Sequence, residues 1–156
     1  MAAGLTLKSE KLSEFKKAIE IAIVSQVQGK IPKPTVSYHM EISLNDLSPT
    51  MYREFERIGP FGPGNEVPVF MAAEVVTAVP PRTVGHGGRH LKLVVQSTNN
   101  PSHRFEAIGF GMGERIDEVR AWRTFDIVFT LAKNTYRGRS TLNLHLRAIR
   151  AHRIGH

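Results

Sequence analysis

From Val36 the apolar residues fall on alternate positions: Val36, Tyr38, Met40, Ile42 and Leu44 are separated by polar neighbours. A period of two puts one set of side chains on one face, so a strand with one buried face is expected over 36–44. Upstream the period is different. Leu12, Phe15, Ile19, Ala22, Ile23 and then Gln26 or Val27 recur at three- and four-residue steps, which predicts an amphipathic helix over 9–28. Ser9 is its expected N-cap, Glu10 suits its first turn, and Gly29 followed by Pro32 and Pro34 stops it. Downstream, Ser48 and Pro49 form a cap and first-position proline, and Met51 or Tyr52, Phe55 and Ile58 mark a second, short helix.

The stretch Gly59-Pro60-Phe61-Gly62-Pro63-Gly64-Asn65 fits neither helix nor central strand, because three of its seven residues are glycine and two are proline. It predicts a division of the chain near residues 59–68, with units 1–66 and 67–156. The second unit reads as strands over 69–79, 89–96, 104–110, 125–132 and 141–150, with a helix over 113–122 between the third and fourth. Leu91, Leu93 and Val95 share one face, as do Phe105 and Ala107, with Ile108 and Phe110 opposite. In the last strand Leu142, Leu144, Leu146, Ala148 and Arg150 share a face. Three strands, a helix and two strands is the order of a five-stranded OB-fold barrel, and the helix favours it over an SH3-like or other small α+β barrel.

Charge divides the chain at the same place. Residues 1–68 hold eight basic and eight acidic residues, whereas 69–156 hold thirteen and six, which is the whole formal net charge of +7. The last 24 residues carry six lysines and arginines and no acid. A neutral half followed by a basic half points to a polyanion as partner of the second. Basic and aromatic residues sit where an OB barrel meets single strands, on its second and third strands and in the loop between its last two. Arg89, His90 and Lys92 lie on or beside the second strand, with Arg89 and the lysine expected opposite Leu91 and Leu93. Phe110 leaves the third, and Lys133, Tyr136, Arg137 and Arg139 surround the last loop. Arg89, Lys92, Arg137 and Arg139 are expected on phosphates, Phe110 and Tyr136 on bases, and His90 as a further stacking residue.

Other chemistry is poorly supplied. With no cysteine in its 156 residues, the chain has no disulfide, thiolate metal site or cysteine nucleophile, and it suits a reducing cytoplasm. No apolar run is long enough for a membrane span. Gly109, Gly111 and Gly113 are spaced G-x-G-x-G, without the parallel second strand of a dinucleotide site, and read as a glycine-rich strand exit. His86 and His90 have no third ligand nearby for a metal. Glu114, Asp117 and Glu118 form an ordinary charged helix face. No nucleophile elbow or phosphate-loop lysine is present.

Residues 58–70, Ile-Gly-Pro-Phe-Gly-Pro-Gly-Asn-Glu-Val-Pro-Val-Phe, resemble the P-F-G-x-G-N-x-x-P-x-F stretch of the RecJ family at every fixed position. Gly88–Leu93, Ala107–Gly111 and Asn134–Gly138 match the same family in order. Met1–Leu7 resembles the end of its G-G-H-x-x-A-A-G segment, without the two glycines and the histidine. RecJ proteins are bacterial exonucleases that degrade single-stranded DNA from the 5′ end. The resemblance implies that residues 1–66 are the truncated α/β remnant of a DHH-associated domain. Residues 67–156 would be its OB domain, with Pro60, Phe61, Gly62, Gly64 and Asn65 as the interdomain motif. It further implies a parent enzyme using Mn²⁺ or Mg²⁺ held by a DHH domain absent from this chain. No catalytic residue is therefore carried over, and this fragment alone is expected to be inactive. Single-stranded DNA is the implied ligand, in cytoplasmic recombination and repair. A repair helicase or single-strand-binding protein is the alternative partner for a barrel that acts by docking proteins.

Overall fold

A computed structural model describes residues 4–26, 35–136 and 139–153, with residues 135, 136, 139 and 140 described by their backbones alone. The chain divides into two compact units, Met1–Thr35 and Val36–His156. The first contains helix α1 (Leu12–Gln26), entered through a 3-10 turn at Ser9–Lys11. Ser9 does not cap it. The cap position falls on Lys8, whose extended backbone precedes the turn and whose side chain makes no capping bond. The apolar stripe is real, but Leu12, Ile19, Ile23 and Val24 are all exposed. The expected stop at Gly29, Pro32 and Pro34 lies outside the described residues.

The second unit is a closed barrel. Strands β2 (Phe70–Thr77), β4 (His90–Ser97), β5 (Asn100–Gly109), β6 (Phe125–Tyr136) and β7 (Arg139–Ala151) form the wall. β2 pairs with β4, β4 with β5, β5 in parallel with β7, β7 with β6, and β6 with β2 again. Helix α3 (Ile116–Ala121) lies between the third and fourth wall strands and buries Val119. This is the OB topology expected from the order of elements. Two short strands add to it: β1 (Met40–Glu41), parallel to β2, and β3 (Arg82–Val84), antiparallel to β4.

The strand expected over 36–44 is thus reduced to two residues. Val36, Tyr38 and Met40, its supposed inner face, are exposed. The chain turns away at Leu44–Asp46, where Ser43 Oγ accepts the Asn45 N–H at 3.2 Å, and Leu44 and Leu47 drop into the barrel core. Helix α2 (Pro49–Arg57) begins as its sequence predicts. Pro49 occupies the first turn, and Ser48 Oγ accepts the Met51 N–H at 3.1 Å. Its Phe55 packs at 5.0 Å from Phe61 and 6.0 Å from Phe70.

The Gly-Pro stretch is a folded turn. The Asn65 side-chain amide donates to the carbonyls of Ile58 and Pro60, both at 3.0 Å. Gly62 and Asn65 exchange backbone bonds at 2.8 and 2.9 Å, and Gly64 takes φ +82°. The division expected at 59–68 falls inside the unit Val36–His156, because residues on both sides of the turn feed one core.

Two bulges change which residues face inward. In β2 the register against β6 shifts between Ala72 and Val75, with Glu74 at φ +54°. In β7 the register against β6 shifts near Val128 and Phe129, so Ile149 is buried instead of Ala148, and Arg150 points to solvent. The common face expected for Leu142 through Arg150 therefore ends at Leu146, since one extra residue inverts the alternation beyond it.

Asp126 fastens both irregular regions. It is buried, and its carboxylate accepts the Glu74 N–H at 3.2 Å and Arg150 Nε at 3.0 Å, and it contacts His152 Nδ1 at 2.6 Å. Burial pushes its pKa up, but the bonds from His152, Glu74 and Arg150 outweigh that and hold it below the ordinary aspartate value. Asp126→Asn should destabilise the barrel by about 2 kcal/mol at neutral pH, measured by urea unfolding. A carboxyl depressed on folding contributes above its unfolded pKa and loses that contribution as pH falls through the folded one. The gap between parent and variant should therefore close below about pH 4, and a gap independent of pH would show that ionised Asp126 contributes nothing.

Candidate nucleic-acid interface

Alternation along β4, β5 and β7 separates a core face from an outer face. Leu91, Leu93, Phe105, Ala107, Leu144 and Leu146 are buried. Their neighbours Lys92, Ile108 and His145 stand in register across three strands, Lys92 opposite Ile108 and Ile108 opposite His145. Arg82 of β3 extends the row at Lys92, and Thr130 of β6 continues it at His145. Beyond Ile108 the chain leaves β5 with Phe110, which is 56% exposed. Its ring lies 5.3 Å from His90 on one side and 5.3 Å from His145 on the other, at interplanar angles of 72° and 88°. Phe110 and His145 border a shallow groove of about 310 Å³ that is also lined by Lys92, Glu106, Ile108, Asn143, Lys133 and Asn134.

Its charge is mixed. Lys92 Nζ pairs with Glu106 at 2.8 Å, and Lys133 Nζ with Glu56 of α2 at 3.4 Å. Such partly exposed pairs are weak, and a polyanion can compete for the lysines. His145 is half-buried. Burial, and then the charge of Arg147, lower its pKa, so the neutral ring is favoured beside Phe110.

The structure brings Lys92, Phe110 and Lys133 to one groove and sets the His90 ring against Phe110. Arg89 does not share the face of Lys92. It ends the 3-10 turn at His86–Gly88 with helical φ and ψ of −61° and −28°, outside the strand's alternation, and His90 takes the position beside the lysine. Tyr136 and Arg139 pair through their backbones at the end of the β6–β7 hairpin. Arg137 lies outside the described residues. Pro60, Phe61, Gly62, Gly64 and Asn65 form the turn already described and do not line this groove. Arg82, Asn143, His145 and Arg147 were not anticipated. The alternation of Leu142, Leu144 and Leu146 already assigned 143, 145 and 147 to the outer face, so the last three were within reach. His39, with no assigned role, accepts the Val69 N–H through Nδ1 at 3.0 Å. Among the described residues no group of three or more His, Asp or Glu side chains is arranged to hold a metal ion, and no helix is long and apolar enough to cross a membrane.

The family model described as the RecJ OB domain matches residues 38–148. The chain belongs to the RecJ OB-domain family. The matched span begins before β1 and covers α2, the Gly-Pro turn and most of the barrel. Two crystal structures of RecJ from Thermus thermophilus share the fold. One, in complex with Mn²⁺, is 19% identical with a TM-score of 0.60 over 97% of this chain. The other, in complex with Mg²⁺, is 20% identical with a TM-score of 0.51 over 96%. This chain spans 21% of the length of each. A search of curated proteins found no match to the sequence.

Proposed function

We propose that this RecJ OB domain binds single-stranded DNA across the outer face of β4, β5 and β7, as the strand-gripping part of a RecJ-like 5′-to-3′ exonuclease. The observation that carries the reading is Phe110. It is a large aromatic ring more than half exposed, held between two imidazoles and flanked by Lys92 and Arg147. A base stacks on the free face of Phe110 whatever its identity, because every base has a π-face. Phosphates are drawn by Lys92, Lys133 and Arg147, and also by Arg137 and Arg139, with Tyr136 as a second stacking residue. Hydrolysis, with its Mn²⁺ or Mg²⁺, belongs to the remainder of such an enzyme. Cytoplasmic recombination and repair is the setting this reading implies.

The test is fluorescence anisotropy of a labelled oligothymidine of about 20 nucleotides, titrated with this chain at several salt concentrations. Saturable binding is expected, with log affinity falling by about 0.7 per phosphate contact for each unit of log salt. Absence of binding at low salt would overturn the reading and leave a docked repair protein as the partner to seek.

A further inference from the structure

His90 was expected to meet a base. Its bonding assigns it a different task. Nδ1 of His90 accepts the backbone N–H of Gly111 at 3.1 Å. That nitrogen therefore carries no proton, and the ring's remaining N–H is on Nε2. Gly111 directly follows Phe110 and takes φ +73°, so this bond fixes the turn that aims Phe110 into the groove. The imidazole is itself held from behind. A Cβ on Gly85 would come within 2.8 Å of its Cδ2, so only a glycine lets the ring sit there. The same two turns meet again where the Gly113 N–H donates to the Arg89 carbonyl at 2.9 Å.

We infer that His90 is a positioning residue: its unprotonated Nδ1 clasps the turn after β5 and thereby presents Phe110 to single-stranded DNA. This rests on the reading of Phe110 as a base platform. It replaces stacking by His90 with a hydrogen bond made inside the protein.

Two substitutions separate the roles. His90→Asn keeps an acceptor where Nδ1 stands, because the asparagine Oδ1 is as far from the backbone as that nitrogen, but it removes the ring. His90→Phe keeps a ring and removes the acceptor. If His90 positions Phe110, His90→Asn binds oligothymidine nearly as the parent does. His90→Phe is then weaker by about two- to tenfold, the equivalent of one hydrogen bond. Adding His90→Phe to Phe110→Ala costs nothing further. If His90 stacks on a base, the order reverses, and His90→Phe binds as well as the parent while His90→Asn does not. That order would overturn the inference.

A second readout needs no DNA. Exchange of the Gly111 amide with deuterated solvent, followed by NMR, should be slow in the parent and in His90→Asn. It should be fast in His90→Phe, with Leu91 and Leu93 amides of the barrel wall still protected. Equal Gly111 protection in all three would also overturn the inference. If the parent binds no DNA, the proposed function fails, and amide exchange still decides whether the clasp exists.

Discussion

Gly113→Ala should lower the stability of the barrel by about 3 kcal/mol, seen as a fall in Tm of roughly 10 °C. A Cβ on Gly113 would overlap the Gly88 carbonyl oxygen and lie 2.8 Å from the Arg89 carbonyl carbon and 2.9 Å from its oxygen. All three are backbone atoms, so no side chain can rotate away. The turn must move, and the Gly113 N–H to Arg89 O bond moves with it. Gly62→Ala is the control, since a Cβ there meets nothing within 4 Å. Circular dichroism melts of parent and both variants measure this. A Tm for Gly113→Ala within about 2 °C of the parent would mean that the two turns are not packed against each other as described.

Phe110→Ala should weaken oligothymidine binding by about 1–3 kcal/mol, a factor of roughly 5 to 150. The ring is 56% exposed and stands outside the barrel core, so Tm should change little. The salt slope should also stay as it is, because no phosphate contact is removed. The combination is diagnostic. A lost phosphate contact flattens the slope, and a damaged fold lowers Tm, whereas a lost stacking platform does neither. Anisotropy at three or more salt concentrations separates them. An affinity within a few tenths of a kcal/mol of the parent would remove Phe110 from the DNA path.

The clasp and the platform are coupled. Gly113 and His90 bind the turn before β4 to the turn after β5, Gly85 leaves room for the imidazole, and Phe110 is carried by the second turn. Some loss of DNA affinity in Gly113→Ala is therefore expected even at temperatures where the variant is folded. Its slope should match that of Phe110→Ala, since both act on stacking alone.

The order and kind of the barrel elements were written in the chain, because each is set by a local period. Alternation over Leu91–Val95 and Phe105–Ile108 allows only strands with those residues on one side, and Ser48-Pro49 starts a helix wherever the chain goes next. Phe110 on the face opposite Phe105 followed from the same count. The outward positions of Asn143, His145 and Arg147 followed too, although nothing marked them as a site until β7 lay beside β5. Tertiary structure alone decided what depends on a partner. The short β1 left Val36 and Tyr38 without cover, since an alternating pattern states a preference and cannot supply a surface to bury against. The bulges in β2 and β7 are set by register against β6, and a one-residue shift inverts every position beyond it. The same holds for the placing of residues 36–66 against the barrel, where Leu44, Leu47 and Phe55 complete a core that composition and charge had divided. The role of His90 belongs to that class as well. A histidine beside a lysine in a basic strand reads as a ligand contact, and only the approach of Gly111, 21 residues away, shows that its acceptor is already taken.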